Sequence, residues 1–233
     1  ARQTVFGKSS DVLVMSLLGR PVDSALLDVG SAARSTTMLQ YGQDVVQCLK
    51  SLHEAGFIHN DVKPTNILLG PDGEDERAHL LDFGMVTCTG VQLCDVLDEP
   101  VSSELAAGGG TPLYASLAQL EGRITSPVDD IESLWYCLAF LEHGELPWQW
   151  ESKDRVTNIK KKLFVEECAI FGDDCDAHLL SEEACSTAHC KATYDEWESS
   201  DELNELWGCV LEAQGGAPVD YDACIRALGG EGD

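Results

Sequence analysis

Residues 57–69 read FIHNDVKPTNILL and set a His, an Asp, a Lys and an Asn at fixed spacing between two short apolar runs. The carboxylate of Asp61 can orient an attacking hydroxyl and accept its proton. Lys63, two residues on, brings a cation able to neutralise charge on a transferring phosphoryl group. Asn66, with Asp82 from the later stretch LLDFGM, offers hard oxygen donors of the kind magnesium selects. A base, a cation and two oxygen ligands are what phosphoryl transfer requires around its reacting atoms. The competing reading is a polar turn whose Asp and Asn side chains satisfy nearby backbone donors.

The elements around these residues favour the first reading. From Thr36 to Ala55, apolar residues at Met38, Val45, Leu49 and Leu52, backed by Leu39 and Val46, recur at helical spacing. Gly56 stands where the C-terminal cap of that helix belongs. Phe57–Ile58, Ile67–Leu69 and Leu80–Leu81 are too short for helices and read as small strands. The motif thus falls on a loop between a helix and strands. Upstream, TVF (4–6) and VLVM (12–15) flank GKSSD and predict a β-hairpin. Such a hairpin exposes edge strands, so a partner segment, a second copy of the chain in a homodimer, or further N-terminal structure is expected to cover it. Downstream, Asp129–Trp148 is apolar nearly all round between Ile131 and Leu141, the pattern of a helix buried on every side. Residues 151–233 read as mostly helical and acidic, with apolar faces in 201–213 and 221–228.

Composition narrows the partners. The chain has 233 residues with 41 acidic against 15 basic side chains, a net charge of −26. That field repels nucleic acid and anionic membranes and attracts basic partners. With no apolar run of about eighteen residues and no basic-then-apolar start, the expected setting is intracellular, cytoplasmic or nuclear. The start at Ala1 rather than Met suggests a processed or incompletely represented chain. In that setting the ten cysteines are expected as thiols, with Cys48 and Cys137 as small core residues. Cys168, Cys175, Cys185 and Cys190 lie near His178 and His189, but their irregular spacing lacks the tight pairs of a zinc site. Together with neighbouring Asp and Glu residues they suggest an exposed acidic insertion at 166–192 that holds no structural metal.

Taken together, the motifs carry a family resemblance. His59, Asp61 and Asn66 match the spacing of the protein-kinase catalytic loop, and Asp82-Phe83-Gly84 its metal-binding motif. GTPLYAS (110–116) is similar to the segment that replaces A-P-E in the casein kinase one family. DDIESLWYCLAFLEHGELPW (129–148) resembles that family's D-D-L-E-S-L-G helix, and VLVMSLLG (12–19) its last N-lobe strand and hinge. The chain therefore resembles a eukaryotic protein kinase, and most of all the casein kinase one family, from Val12 to about Lys162 and more loosely to the end. The resemblance implies an α+β, mostly α fold: a remnant hairpin and hinge over 1–19, then a kinase-like helical C-lobe over 20–233. It implies ATP and magnesium as cofactors and a serine or threonine hydroxyl of a protein as acceptor. By position, Asp61 would be the base, Lys63 the phosphoryl cation, and Asn66 and Asp82 the metal ligands. Met15 would be the gatekeeper, Leu17 and Leu18 would meet adenine through hinge backbone, and Leu68 would form its floor. Thr111 would face the catalytic loop, and Asp130 would brace it from the central helix.

Three departures refine the expectation. Asn60 replaces the Arg that precedes the catalytic Asp, so control by activation-segment phosphorylation is not expected. Leu113 stands where the family carries Arg, so recognition of phosphate-primed substrates is not expected either; the KKK run at 160–162 is left as one local cationic patch. The fourteen residues before Met15 contain no G-x-G-x-x-G strand pair, strand Lys or helix Glu, and GGGT (108–111) leads into Pro112 rather than a phosphate-binding helix. Two functions remain: a Ser/Thr protein kinase lobe, and a kinase-derived binding module that uses an acidic face without catalysis. A metal-binding regulator built on the Cys-rich stretch is a minor third.

Overall fold

The computed structural model describes residues 2–5, 8–11, 15–71, 76–89, 112–165 and 199–232. Thr111 and the Cys-rich stretch with Cys168, Cys175, Cys185 and Cys190 lie outside them. At the N-terminus β1 (Arg2–Val5) pairs antiparallel with β2 (Lys8–Asp11), in the register Val5↔Lys8. The strand bounds differ from the expectation, since KSSD is itself the second strand and not the turn. A link of only two residues, between Val5 and Lys8, fixes that register, whereas apolar content had favoured VLVM.

Short α1 (Val22–Leu27) leads into α2 (Ser31–Glu54), which starts five residues before the predicted Thr36. It ends as expected, at Gly56 with φ 84°, a left-handed value that glycine accepts without strain. Two small antiparallel pairings then fold the motif segment. β3 (Phe57–Ile58) pairs with β6 (Thr87–Cys88), and β4 (Ile67–Leu69) pairs with β5 (Ala78–Leu80). The hinge joins the second ladder: Gly19 N–H donates to Leu69 O at 2.8 Å, Leu69 N–H donates to Arg20 O at 3.0 Å, and Pro21 bridges Leu68. A side chain at Gly19 would strike Gly70 O at 2.6 Å, so the close approach requires glycine there.

The core is organised around α4 (Pro127–His143). Ser126 begins it with a capping box, its N–H donating to Asp129 Oδ2 at 2.7 Å, and Pro127 occupies the first turn where no N–H is needed. Ile131, Leu134, Trp135, Tyr136, Cys137, Leu138 and Ala139 are all buried, as an all-round apolar helix demands. Against it pack α2 and α6 (Asp201–Gln214), and α7 (Tyr221–Ala227) closes on α2 and α6. Cys137 lies in this core and Cys48 is half-buried at its edge, both as free thiols. The remaining helices are α3 (Leu117–Leu120) and α5 (Lys153–Val165). Among the described residues no helix is long and apolar enough to cross a membrane.

Candidate active site

The loop between β3 and β4 is held from below by a single carboxylate. Asp130, in the first turn of α4 and 1% exposed, accepts from His59 N–H at 2.7 Å through Oδ2 and from Asn60 N–H at 2.8 Å through Oδ1. Two amides on one buried carboxylate fix the loop as charge-assisted hydrogen bonds do. Asn60 itself has φ 64°, a left-handed conformation that Asn tolerates better than most side chains. The loop therefore reverses at Asn60 and presents Asp61 beyond it.

His59 is fully buried. Its Nε2–H donates to Leu81 O at 3.0 Å, while Nδ1 accepts from Asp61 N–H at 3.2 Å, so one tautomer satisfies both contacts. Burial holds its pKa below the usual 6.5, against the pull of Asp130 and the Leu81 carbonyl. The sign follows from linkage: as pH falls through 6.5 the unfolded chain takes up a proton that the folded chain withholds, so stability is lost on the acid side. Urea unfolding across that pH is expected to show a steeper loss for the parent than for His59→Asn. Equal slopes would contradict the buried neutral imidazole.

Asp61 and Asn66 are buried and Lys63 is half-buried. Lys63 Nζ donates to Asp61 Oδ2 at 2.7 Å, and Asn66 Nδ2 donates to the same oxygen and to Asp61 O, each at 2.9 Å. Pro64–Asn66 form one 3-10 turn, and residues two and five positions past Asp61 meet on its carboxylate. Oδ1 of Asp61 has no partner among the described residues. Asp82, exposed and at φ 66°, accepts from Gly84 N–H at 3.3 Å. Its segment is tied to the loop by the His59 to Leu81 hydrogen bond and by the edge-on contact of the Phe83 and His59 rings at 5.4 Å.

Of the residues assigned to adenine, Leu68 lies half-buried in the β4–β5 ladder and against the hinge. Leu18, next to Gly19 of the hinge, is half-buried, while Met15 and Leu17 are 53% and 85% exposed.

Asn60 does more than leave out an Arg. Its Nδ2 group lies 3.0 Å from Met85 O, 2.9 Å from Thr87 Oγ1 and 3.2 Å from Ile58 O, while Oδ1 accepts from Thr125 Oγ1 at 2.6 Å. Gln119 Nε2 donates to Asn60 O at 2.5 Å, and the same Gln119 forms a capping box with Ser116. The start of the activation segment is thus knitted to the loop by a neutral buried amide. No residue type at Gln119 or Thr125 signals this in the sequence.

Within the run expected as a cationic patch at 160–162, Lys160 does not face solvent. Lys160 is fully buried, donating to the carbonyls of Ala115 at 2.7 Å, Leu113 at 3.1 Å and Pro112 at 3.3 Å, and lying 3.7 Å from the Tyr136 ring centre. Burial lowers its pKa to about 7, opposed by the facing Glu132, whose own carboxyl burial raises to about 8. Lys161 pairs with Glu121 at 2.8 Å. Helical periodicity explains the difference: α5 turns Lys160 inward with Val156, Ile159 and Leu163.

Comparison with known proteins agrees with this geometry. The family model for the protein kinase domain matches residues 5–213. The casein kinase 1-like protein HD16 of Oryza sativa subsp. japonica is 29% identical over 225 residues, 92% of this chain and 30% of that protein. The probable casein kinase I homolog of Encephalitozoon cuniculi is 28% identical over 162 residues, 66% of this chain and 52% of that protein. Among solved structures, vaccinia related kinase 3 superposes with a TM-score of 0.66 at 20% identity, covering 91% of this chain and 59% of that one, which speaks to the fold. The chain spans about a third to a half of the length of these curated relatives. It belongs to the eukaryotic protein kinase family and is casein kinase 1-like.

Proposed function

We propose that the chain carries the catalytic machinery of a serine/threonine protein kinase and moves the γ-phosphoryl of ATP to a protein hydroxyl. The observation that carries this reading is the convergence of Lys63 and Asn66 on one oxygen of Asp61, with the other oxygen left to meet a substrate hydroxyl. In that role Asp61 orients the hydroxyl and takes its proton, and Lys63 leaves its carboxylate partner for the transferring phosphoryl.

Magnesium and ATP fit the residues present. The Asn66 amide nitrogen is spent on Asp61, which leaves its oxygen as a donor, and the Asp82 carboxylate is exposed beside it in the fold. Two hard protein oxygens with the nucleotide's phosphates make up the coordination magnesium commonly takes; bound there, it would neutralise phosphate charge. Adenine would lie on Leu68 against the backbone of Leu17 and Leu18 below Met15, and Thr111 would face the catalytic loop. Radiolabelled ATP with magnesium and a basic protein, run beside Asp61→Asn and Asp82→Ala, tests the reading. Transfer no greater than in both variants, with no ATP bound, would leave the acidic binding module in its place.

Substrate polarity follows from charge. The net −26 provides attraction for basic peptides, while Asn60 and Lys160 are turned into the fold and Leu113 is apolar, so none of these three positions offers a cation to an acidic or primed one. At low salt a Lys-rich peptide should be turned over about tenfold faster than a matched Asp-rich one, with the gap closing as salt rises. Faster turnover of the Asp-rich peptide overturns this.

A further inference from the structure

The last described helix reaches the catalytic loop through a histidine that no motif marks. Tyr221 opens α7, and its hydroxyl lies 2.7 Å from His53 Nδ1 on the last turn of α2. His53 Nε2 lies 2.8 Å from Asp130 Oδ2, the same oxygen that accepts the His59 amide. The side chains of His53 and Asp130 are 2% and 1% exposed, so water does not compete for these contacts.

Donor and acceptor roles can be read along the chain. A carboxylate only accepts, so His53 presents N–H at Nε2 to Asp130. In the neutral ring Nδ1 is then an acceptor, and the Tyr221 hydroxyl supplies its proton. The order is Tyr221 O–H to His53, His53 N–H to Asp130, and Asp130 to the amides of His59 and Asn60, the two residues that precede Asp61. Lys50 of α2 pairs with Asp222 of α7 at 3.1 Å, pinning the same junction from outside.

We propose that Tyr221 is a positioning residue for the catalytic loop, acting through His53 and Asp130 so that docking of α7 sets the order of the backbone ahead of Asp61. Its significance for phosphoryl transfer rests on the kinase reading above; the physical linkage does not.

Hydrogen exchange of the full chain tests the linkage. In Tyr221→Phe the His59 and Asn60 amides are expected to exchange about tenfold faster, the factor one lost net hydrogen bond gives. Core amides of α4 and α6 should keep their rates. Nitrogen NMR of the His53 ring should show Nδ1 losing an accepted hydrogen bond while Nε2 stays protonated. A double-mutant cycle with His53→Asn should be strongly non-additive, the double variant exchanging at the His53→Asn rate. Unchanged His59 and Asn60 exchange, additive effects, or uniform acceleration across the core would each overturn the proposal. In transfer assays Tyr221→Phe should lower kcat severalfold with KM for ATP nearly unchanged. A parent chain that transfers nothing, with the loop amides still responding, would sink the kinase reading and leave the linkage standing.

Discussion

Asp61→Asn is expected to lower phosphoryl transfer by about a thousandfold, within the range a positioned general base contributes, while ATP affinity changes by less than about threefold. The substitution is nearly isosteric, so the loop loses little packing. The Asn60 and His59 amides stay on Asp130, and the 3-10 turn through Asn66 is untouched. What disappears is the charge that draws Lys63 and Asn66 to one oxygen and the basic oxygen free to take a proton. Asp82→Ala separates the two halves of the site: it should weaken magnesium-dependent nucleotide binding, because it removes a ligand rather than the base. Single-turnover rates and nucleotide titrations on both variants check this. A parent and an Asp61→Asn chain with equal nonzero rates would remove Asp61 from the chemistry.

Lys160→Met is expected to cost about 2–4 kcal/mol of stability, because it removes a buried donor to backbone carbonyls, at about 1–3 kcal/mol for each acceptor left unsatisfied. Methionine keeps much of the volume beside Tyr136 and Trp148, so packing loss is small. The carbonyls of Pro112 and Ala115 lose this donor, and Leu113 O keeps only the Trp148 Nε1–H at 2.9 Å. Glu132, accepting from Leu117 N–H and Tyr136 O–H at 2.8 Å each, already has its carboxyl pushed up to about 8 by burial, and losing the cation facing it pushes it further up. Adding Glu132→Gln should therefore restore part of the loss, since a neutral amide folds without taking up the proton that the buried acid must hold. Urea unfolding measures both. A single-variant loss under about 1 kcal/mol, the scale of an exposed ion pair, would show that the lysine is not structurally required.

Much of the architecture was legible in the sequence because local rules suffice for it. Period-3.6 apolar spacing places α2, α6 and α7, Gly56 marks the end of α2, and the unbroken apolar face of 131–141 marks α4 as the central helix. The spacing of Asp61 and Asn66 likewise foretells their contact, because a 3-10 turn converts sequence separation directly into proximity. The hairpin register was not legible: β-propensity pointed to VLVM, and link length decided for KSSD. Nor could the sequence distinguish Lys160, buried under three carbonyls, from its neighbour Lys161 on the surface. The same holds for Asn60 as a clamp joining residues 25, 27 and 65 positions away, and for His53 and Tyr221, 168 positions apart, on the carboxylate beneath the loop. These are contacts between distant segments, whose energy depends on burial and on which donor meets which acceptor. Packing of α7 and α4 on α2 sets the His53 and Tyr221 pairings, and packing of α5 on residues 112–115 sets those of Lys160, so residue type and spacing determined the groups able to do chemistry, and the tertiary structure decided what holds them in place.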